Sequence, residues 1–167
     1  MTIPVPPPVA LRPAGPDDAE FLYRVYASTR YEELAPAGWP PEQVEAFLRM
    51  QFRAQSKHYR EYFPDASFDV VVCGAAAAGR LYVDRRADEI RIVDIALLPE
   101  FRRAGVGTCL LTGLLSEAAA AGVPVRINVE ANNPAQGLYR RLGFERTGTT
   151  GVYDLMQWKP STDHRQT

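Results

Sequence analysis

The chain has 167 residues, of which 46% are hydrophobic and 23% are charged, and its formal net charge at pH 7 is −1. A chain of this length and composition is expected to fold as one domain with a buried core. The neutral charge balance excludes the strong overall field that attracts nucleic acid or an anionic membrane, and no run approaches the roughly 20 continuous apolar residues of a membrane span.

The ends of the chain differ in composition from the rest. Residues 1–8 are rich in proline and lack the charged start and apolar centre of a signal peptide, so we expect a flexible arm. Residues 159–167 form a polar tail, which leaves residues 9–158 as the single domain. Two cysteines, Cys73 and Cys109, are too few for a disulfide framework. We expect both to be buried thiols, which fits a cytoplasmic protein.

Two helices are predicted in the first half of the chain, after a short strand over Val9–Arg12. The first covers Asp17–Thr29, where apolar residues recur on one helical face, and the second covers Glu42–Tyr59. Glycine and proline predict a turn between them, over residues 35–41. An exposed aromatic stripe on this helix pair would be a surface for a partner protein or for a second copy of the chain, giving a homodimer.

Strands dominate the middle of the chain. An aromatic-rich loop over residues 59–69 leads to strands at Phe68–Cys73, Gly79–Arg85 and Ile90–Leu98. The third is a nearly continuous apolar run that ends at Pro99, which is typical of a central strand covered on both faces.

Helices and strands alternate in the last part of the chain. The predicted elements are a helix over Gly105–Ala121 that Gly122 ends, a strand over Val123–Glu130, a helix between Asn132 and Gly143, and a hairpin of residues 144–146 and 152–158 across a turn at Thr147–Gly151. This order predicts a mixed α/β fold with a central strand–helix–strand unit.

A segment with two glycines, Arg102-Arg103-Ala104-Gly105-Val106-Gly107, joins the third of those strands to the next helix. Glycines let a backbone approach a ligand closely, and the first N–H groups of a helix point outward at the positive end of its dipole. The segment therefore predicts an anion cradle made by the backbone from Arg103 to Thr108, with side-chain help from the two arginines. The alternative is that the glycines only tighten a strand–helix turn.

A second motif begins at Asn132 and reads Asn-Asn-Pro-Ala-Gln-Gly-Leu-Tyr-Arg-Arg-Leu-Gly-Phe. With both motifs the chain resembles the GCN5-related N-acetyltransferase (GNAT) superfamily, whose signatures are Arg/Gln-x-x-Gly-x-Gly/Ala and, one strand–helix unit later, Leu-Tyr-x-x-x-Gly-Phe. The match covers Leu97–Phe144 by motif and Val9–Trp158 by order of elements. The resemblance implies an α/β (α+β) fold with a mixed, mostly antiparallel central sheet of about seven strands flanked by four helices.

The resemblance implies binding of acetyl-CoA. The loop would hold the pyrophosphate, while the backbone around Leu97 and Leu98 would pair with the pantetheine arm and polarise the thioester carbonyl. Arg103 stands where the family frequently has Gly, and Ala104 where a basic residue or Gln is frequent, so fewer side-chain contacts from position 104 are implied. The residues implied to bind acetyl-CoA are Leu97, Leu98, Arg102, Arg103, Ala104, Gly105, Val106, Gly107, Thr108, Asn132, Asn133 and Ala135.

Either of two asparagines fits the family's Asn position. A spacing of seven residues before Tyr139 selects Asn132, whereas the pairing with Pro134 selects Asn133. Both are also candidate helix caps.

Tyr139 is the candidate general acid, because the resemblance places the matching tyrosine beside the sulfur of the coenzyme. A phenol, with an ordinary pKa near ~10, holds its proton at neutral pH and can give it to a departing thiolate. The alternative is that Tyr139 is an amphipathic core residue at a helix end.

Asp94 is the candidate general base, because it is a charge inside an otherwise apolar strand. The alternative is a carboxylate satisfied by Arg91, by Arg126 or by a backbone donor. Glu130, at the end of the next strand, is the second choice.

The acceptor pocket of the family is often built on the segment after the first helix, which here contains Tyr31, Glu32 and Glu33. These carboxylates would attract a cationic amine, or they belong to a solvated turn. Neither His58 nor His164 has a neighbour at metal-ligand spacing, so no metal is expected. The sequence thus predicts an acetyl-CoA-dependent N-acetyltransferase, in which an amine attacks the thioester directly in a ternary complex. The alternative is a non-catalytic acyl-CoA-binding or structural module.

Overall fold

The computed structural model describes residues 8–161, which contain seven strands and four α-helices. The strands are β1 (Val9–Pro13), β2 (Ser67–Cys73), β3 (Ala76–Arg85), β4 (Ile90–Leu97), β5 (Val125–Glu130), β6 (Glu145–Thr150) and β7 (Tyr153–Trp158). The helices are α1 (Ala19–Leu34), α2 (Pro41–Tyr62), α3 (Val106–Ala121) and α4 (Gln136–Arg141). Proline and glycine set several boundaries: Pro41 is the first residue of α2, and Gly122, with a φ of 70°, ends α3.

The seven strands form one sheet in the order β1-β2-β3-β4-β5-β7-β6. Strand β1 pairs antiparallel with β2, and β7 pairs antiparallel with both β5 and β6. Strand β4 pairs parallel with β5, from Ile90 opposite Val125 to Ile92 opposite Ile127. This arrangement confirms the predicted fold, a seven-stranded mixed sheet with four helices.

The chain divides into two compact units. The first combines the residues through Tyr82 with Asp94–Val106, and the second combines Val83–Val93 with the residues from Gly107 onward. The single domain over residues 9–158 therefore stays a prediction. The proposed arm and tail lie mostly outside the described residues, at 1–7 and 162–167.

Helices α1 and α2 pack together within the first unit. Their buried contact is formed by Tyr23, Tyr26, Val44 and Leu48, with the ring of Phe52 against both tyrosines. Arg49 of α2 lies 4.0 Å above the ring of Tyr23 and bonds to Glu20 of α1 at 2.8 Å. On α2 this contact uses the apolar face that periodicity predicted, whereas on α1 it uses Tyr23 and Tyr26.

The second unit buries one face of α3 and alternate residues of β5. Its buried residues include Leu110, Leu111, Leu114, Leu115, Ala118, Val125, Ile127 and Val129. Glu89 is also buried there and is paired with Arg86 and Arg126, so its charge is compensated.

Several predicted boundaries were wrong. Strand β3 begins at Ala76 rather than at Gly79, and three other boundaries differ for local reasons. Helix α1 continues to Leu34, rather than ending at Thr29, because no Gly or Pro precedes Pro36 and an Arg30–Glu33 pair supports its last turn. Helix α2 likewise extends to Tyr62. Most of the turn predicted at Thr147–Gly151 belongs to β6, which is rich in β-branched threonine.

The expectation of two buried thiols was half wrong. Cys73 is buried in β2, whereas Cys109 is exposed because its position lies off the buried stripe of α3. Among the helices that the structure describes, none combines the length and apolar character needed to cross a membrane.

Candidate active site

The backbone after β4 carries the loop for which an anion cradle is predicted. Arg103 and Gly105 both have left-handed backbone, with φ angles of 61° and 81°, and α3 starts immediately afterwards at Val106. The N–H groups of Arg103, Ala104 and Gly105 have no hydrogen-bond acceptor among residues 8–161. The first turn of α3 carries no acidic side chain. These free donors at the positive end of a helix fit the oxygens of a pyrophosphate.

The two glycines of the loop, Gly105 and Gly107, differ in what the structure requires at their positions. Gly105 adopts a φ that side chains rarely tolerate, so the turn itself requires it. A Cβ at Gly107 would sit 3.7 Å from Leu138 Cδ2, an ordinary contact, so packing of the chain alone does not require glycine there. Close approach of a ligand at Gly107 therefore stays a prediction.

The Arg102 side chain connects the loop to the end of β4 and to α1 by hydrogen bonds. Its Nε donates to the Leu97 carbonyl at 2.9 Å, and its Nη2 contacts Ser28 Oγ at 3.4 Å. The Leu98 N–H donates to the Ala78 carbonyl at 2.8 Å. Of the backbone groups predicted to meet the pantetheine arm, the Leu97 carbonyl and the Leu98 N–H thus already have partners in the chain.

Strand β3 approaches the end of β4 closely at Gly79. A Cβ there would collide with the carbonyl oxygen of Ala96 and lie 2.9 Å from Leu97 Cα. Since no real Cβ tolerates such contacts, Gly79 sets the path of β4 where the acyl group is predicted to bind.

Asp94, the candidate base, lies in β4 at the centre of a polar cluster in the first unit. Its Oδ2 accepts hydrogen bonds from the Tyr59 hydroxyl at 2.8 Å and from Arg80 Nη2 at 2.7 Å. The same Nη2 contacts Gln55 Oε1 at 3.0 Å. Asp94 is a paired carboxylate, as the alternative to a general base supposed, but the cations named for it were wrong: its partner is Arg80, and Arg126 instead pairs with Glu89.

Arg80 is only 3% exposed and stays charged. Burial acts to lower the pKa of Arg80, but the Asp94 carboxylate and the phenols of Tyr82 and Tyr59 offset burial, and the net pKa is raised. The guanidinium carbon lies 5.2 Å from the ring centre of Tyr82 and 5.9 Å from that of Tyr26. The permanently charged guanidinium of Arg80 is thus in direct contact with the Asp94 carboxylate.

The polar cluster around Asp94 was not predicted, although the sequence carries a signal for it. Gln51, Gln55 and Tyr59 recur every fourth residue along α2, so they share one helical face. Gln51 accepts from the Tyr26 hydroxyl at 3.1 Å, while Gln55 and Tyr59 reach Arg80 and Asp94. Polar residues at inward-facing positions of an amphipathic helix indicate such a cluster.

Tyr139, the candidate acid, is a buried residue of α4 in the second unit. Its side chain is 4% exposed, and its ring meets that of Phe144 edge-on with centres 5.5 Å apart. Gly143, with a φ of 101°, reverses the chain after α4 and allows Phe144 to return to that ring. In the Leu-Tyr-x-x-x-Gly-Phe motif, the residues from Leu138 to Arg141 thus belong to helix α4, Gly143 ends that helix, and Phe144 packs against Tyr139.

Gln136 secures α4 and was not predicted. It is buried, and its Nε2 donates to the Glu130 carbonyl at 3.0 Å and to Asp154 Oδ2 at 2.9 Å. Glu130, the second candidate base, is half-buried at the end of β5. Gln136 thus joins the start of the Tyr139 helix to the end of that strand.

The two asparagines before α4 have different roles in the structure. Asn133 Oδ1 accepts from the Ala135 N–H at 2.8 Å, and the Asn133 N–H donates to the Glu130 carbonyl. Asn132 is exposed. Asn133 thus makes an Asx turn just before α4, whereas the N-cap of the helix is Ala135, so neither asparagine is its cap.

The candidate acceptor residues Tyr31, Glu32 and Glu33 are exposed and lie in the last turns of α1, not on a segment after it. Glu33 pairs with Arg30 at 3.1 Å. Within the part of the chain that the structure describes, no group of three or more His, Cys, Asp or Glu residues is arranged to hold a metal ion.

These features define an α/β protein whose fourth strand leads through a glycine-containing loop into a helix. A profile of the acetyltransferase (GNAT) family matches residues 20–144, and the chain belongs to that family. Membership supports acetyl transfer from acetyl-CoA as the general class of reaction.

One curated relative and two solved structures illustrate the similarity. The chain is 33% identical over 84 residues to the cysteine-rich protein 2-binding protein of Mus musculus; the match covers 50% of this chain but 10% of that protein. The fold is similar to that of the PaiA N-acetyltransferase of Thermoplasma acidophilum in complex with coenzyme A, with a TM-score of 0.68, 19% identity, and coverage of 91% of this chain and 99% of that chain. It is also similar to Ard1 of Thermoplasma volcanium, with a TM-score of 0.62, 21% identity, and coverage of 92% and 98%. At such identities the structural similarity shows the fold alone.

Proposed function

We propose that the protein transfers the acetyl group of acetyl-CoA to a primary amine, by direct attack of the amine within a ternary complex. The observation that carries the proposal is the set of N–H groups at Arg103, Ala104 and Gly105 that have no acceptor among residues 8–161. A pyrophosphate needs several donors, and this loop offers them at a helix N-terminus. Arg103, exposed and cationic, adds a further contact to phosphate.

In this mechanism acetyl-CoA supplies the acetyl group as a thioester, and the residues of the chain manage the protons. Asp94 or Glu130, directly or through a water, takes one proton from the ammonium of the acceptor, which frees the nitrogen lone pair. Tyr139 gives its phenol proton to the departing thiolate and recovers a proton from the nitrogen as the amide forms. The nitrogen therefore loses two protons, one to the base and one, by way of Tyr139, to the coenzyme thiol.

The first test is binding of acetyl-CoA and of coenzyme A, measured by calorimetry. We expect both to bind, and the absence of heat at millimolar ligand would refute the proposal at its first step. Reversing the charge of Arg103, as Arg103→Glu, should weaken both ligands, because it places an anion in the cradle.

The second test concerns the acceptor. Release of coenzyme A from acetyl-CoA would be followed with spermidine, kanamycin, lysine and a peptide with a free N-terminal alanine. Tyr139→Phe should lower turnover at least tenfold with little change in acetyl-CoA affinity, since only the proton is removed. Tyr62→Phe is the matched control, because that phenol is 67% exposed on α2. Equal turnover in Tyr139→Phe and the control would remove Tyr139 from the acid role.

A second function is favoured by one observation: Tyr139 is buried against Phe144, as a purely structural residue would be. The protein would then be a non-catalytic acyl-CoA-binding module. Binding of acetyl-CoA without amine-dependent release of coenzyme A would select this function over the first.

A further inference from the structure

The Asp94 carboxylate is held by only one of its two oxygens. Tyr59 and Arg80 both donate to Oδ2, and no group among residues 8–161 donates to Oδ1. The side chain is 14% exposed, so a small group can reach it. An ionised carboxylate only accepts hydrogen bonds, and here one oxygen remains available for a donor from outside the chain.

The anchor on Oδ2 is rigid. Arg80 is buried, its Nη2 is shared between Asp94 and Gln55, and its planar group is enclosed by the rings of Tyr82 and Tyr26. Tyr59 approaches from α2, an element distinct from the strand that carries Arg80. Two donors from different elements thus set both the position and the rotation of the carboxylate.

The polar cluster around Asp94 stabilises the protein less than a fully satisfied or apolar core would. Arg80 Nε is buried without a hydrogen-bond partner in residues 8–161, a state that costs stability. A buried ion pair is often no more stabilising than apolar residues of similar volume. Departures from the most stable arrangement are expected where a residue serves function.

We propose that Arg80 and Tyr59 are positioning residues that hold Asp94 so that its Oδ1 accepts a hydrogen from the ammonium group of the acceptor. This inference rests on the proposed acetyl transfer and assigns the proton-accepting role to Asp94 rather than Glu130. It also specifies the acceptor: a primary ammonium, which carries N–H donors, is recognised, whereas a quaternary ammonium of the same charge is not.

The test is carbon-13 NMR of protein labelled at aspartate carboxyl carbons and bound to coenzyme A. The Asp94 signal is assigned by its loss in Asp94→Asn. Methylammonium is the probe, and tetramethylammonium is its control, because it has the same charge without N–H groups. We expect methylammonium to shift the Asp94 signal and tetramethylammonium to leave it in place. Equal shifts, or no shift with either probe, would overturn the proposal.

Tyr59→Phe tests positioning, with Tyr62→Phe as the same change three residues further along α2. We expect kcat to fall about tenfold or more in Tyr59→Phe, because misplaced catalytic groups lose rate. The KM for the amine should change less than threefold and the Kd of coenzyme A less than twofold. Loss of coenzyme A affinity together with kcat would instead indicate a structural role, and behaviour like Tyr62→Phe would indicate no role in turnover. Either result would reject the proposal.

Arg80→Lys and Arg80→Gln give a rescue experiment. Lysine keeps a cationic donor, so it should restore at least part of the kcat that glutamine loses. If glutamine prevents folding, Tyr59→Phe decides the question alone. Failure of acetyl-CoA binding in the wild type would count against the proposed function, whereas intact binding with a silent Asp94 signal would count against this inference only.

Discussion

The left-handed backbone of Arg103 predicts that its replacement by glycine stabilises the free protein. Arg103 has a φ of 61° and an exposed side chain. In that region a residue other than glycine costs roughly 1–2 kcal/mol, because its Cβ crowds the following carbonyl. Glycine removes this cost but loses about 0.4–1 kcal/mol to the greater freedom of the unfolded chain. The net gain in the free energy of unfolding is about 0.5–1 kcal/mol.

Arg102→Gly is the matched control, since it is the same substitution one residue earlier. Arg102 is extended, with a φ of −77° and a ψ of 155°, so glycine relieves no strain there. The change also removes the hydrogen bond to the Leu97 carbonyl, worth about 0.5–1.5 kcal/mol. Adjacent arginines should therefore respond to the same substitution with opposite signs.

Urea and thermal denaturation would measure both variants, without ligand and with coenzyme A. For a chain of 167 residues, 1 kcal/mol corresponds to a Tm shift of about 2–4 °C. Loss of one exposed charge from the cradle should weaken coenzyme A binding about fivefold in Arg103→Gly. Destabilisation by Arg103→Gly, or stabilisation of both variants, would show that the loop stores no strain at this residue.

Four further substitutions probe other contacts. Gly79→Ala should cost about 1–3 kcal/mol, because its Cβ meets the β4 backbone, and should weaken coenzyme A binding. Gly113→Ala, with open space around it in α3, should gain about 0.5–1 kcal/mol in the same urea titration. A hydrogen bond from Arg12 holds the pKa of Asp18 at about 2, below its ordinary 3.8. The ionised Asp18 therefore stabilises the folded protein fully above about pH 4, and this contribution is lost as the pH falls through 2. Urea midpoints measured from pH 5 to pH 2 should therefore fall less in Asp18→Asn than in the wild type, whereas Asp17→Asn should fall as the wild type does. Gln136→Leu leaves the buried Asp154 without its 2.9 Å donor and should cost about 1–3 kcal/mol, with a loss of turnover larger than the loss of coenzyme A affinity.

Local signals were sufficient for most of the fold. The apolar run of β4 ends where Pro99 interrupts it, and α3 ends where Gly122 adopts a left-handed backbone. The errors at the ends of α1 and α2 occurred where no breaker marked the boundary, whereas Gly148 lies inside β6 without ending it. Helix α1 continues through Tyr31–Leu34. This extension was missed because a charged, mostly exposed stretch has the same composition in a helix as in a solvated turn.

The two halves of the candidate site differed in how well they could be predicted. The loop proposed as the anion cradle is contiguous in sequence, so its glycines and its position between a strand and a helix were visible directly. The partners of Asp94 lie 14 and 35 residues away, at Arg80 and Tyr59. Nothing local connects them, and only the packing of α2 on the strands of the first unit brings them together.

This difference has a physical origin that bears on the acceptor. The predicted cradle offers backbone N–H groups, which every residue but proline has, so we expect its side chains to tune affinity and the loop conformation to determine the ligand. The Asp94 cluster uses side chains from α2, β3 and β4, so one substitution there changes which donors and charges the acceptor meets. Gln55→Glu, for example, would place a second carboxylate against Arg80 Nη2 and compete with Asp94 for it. Acceptor preference should therefore respond to changes on the inner face of α2 that leave coenzyme A affinity untouched.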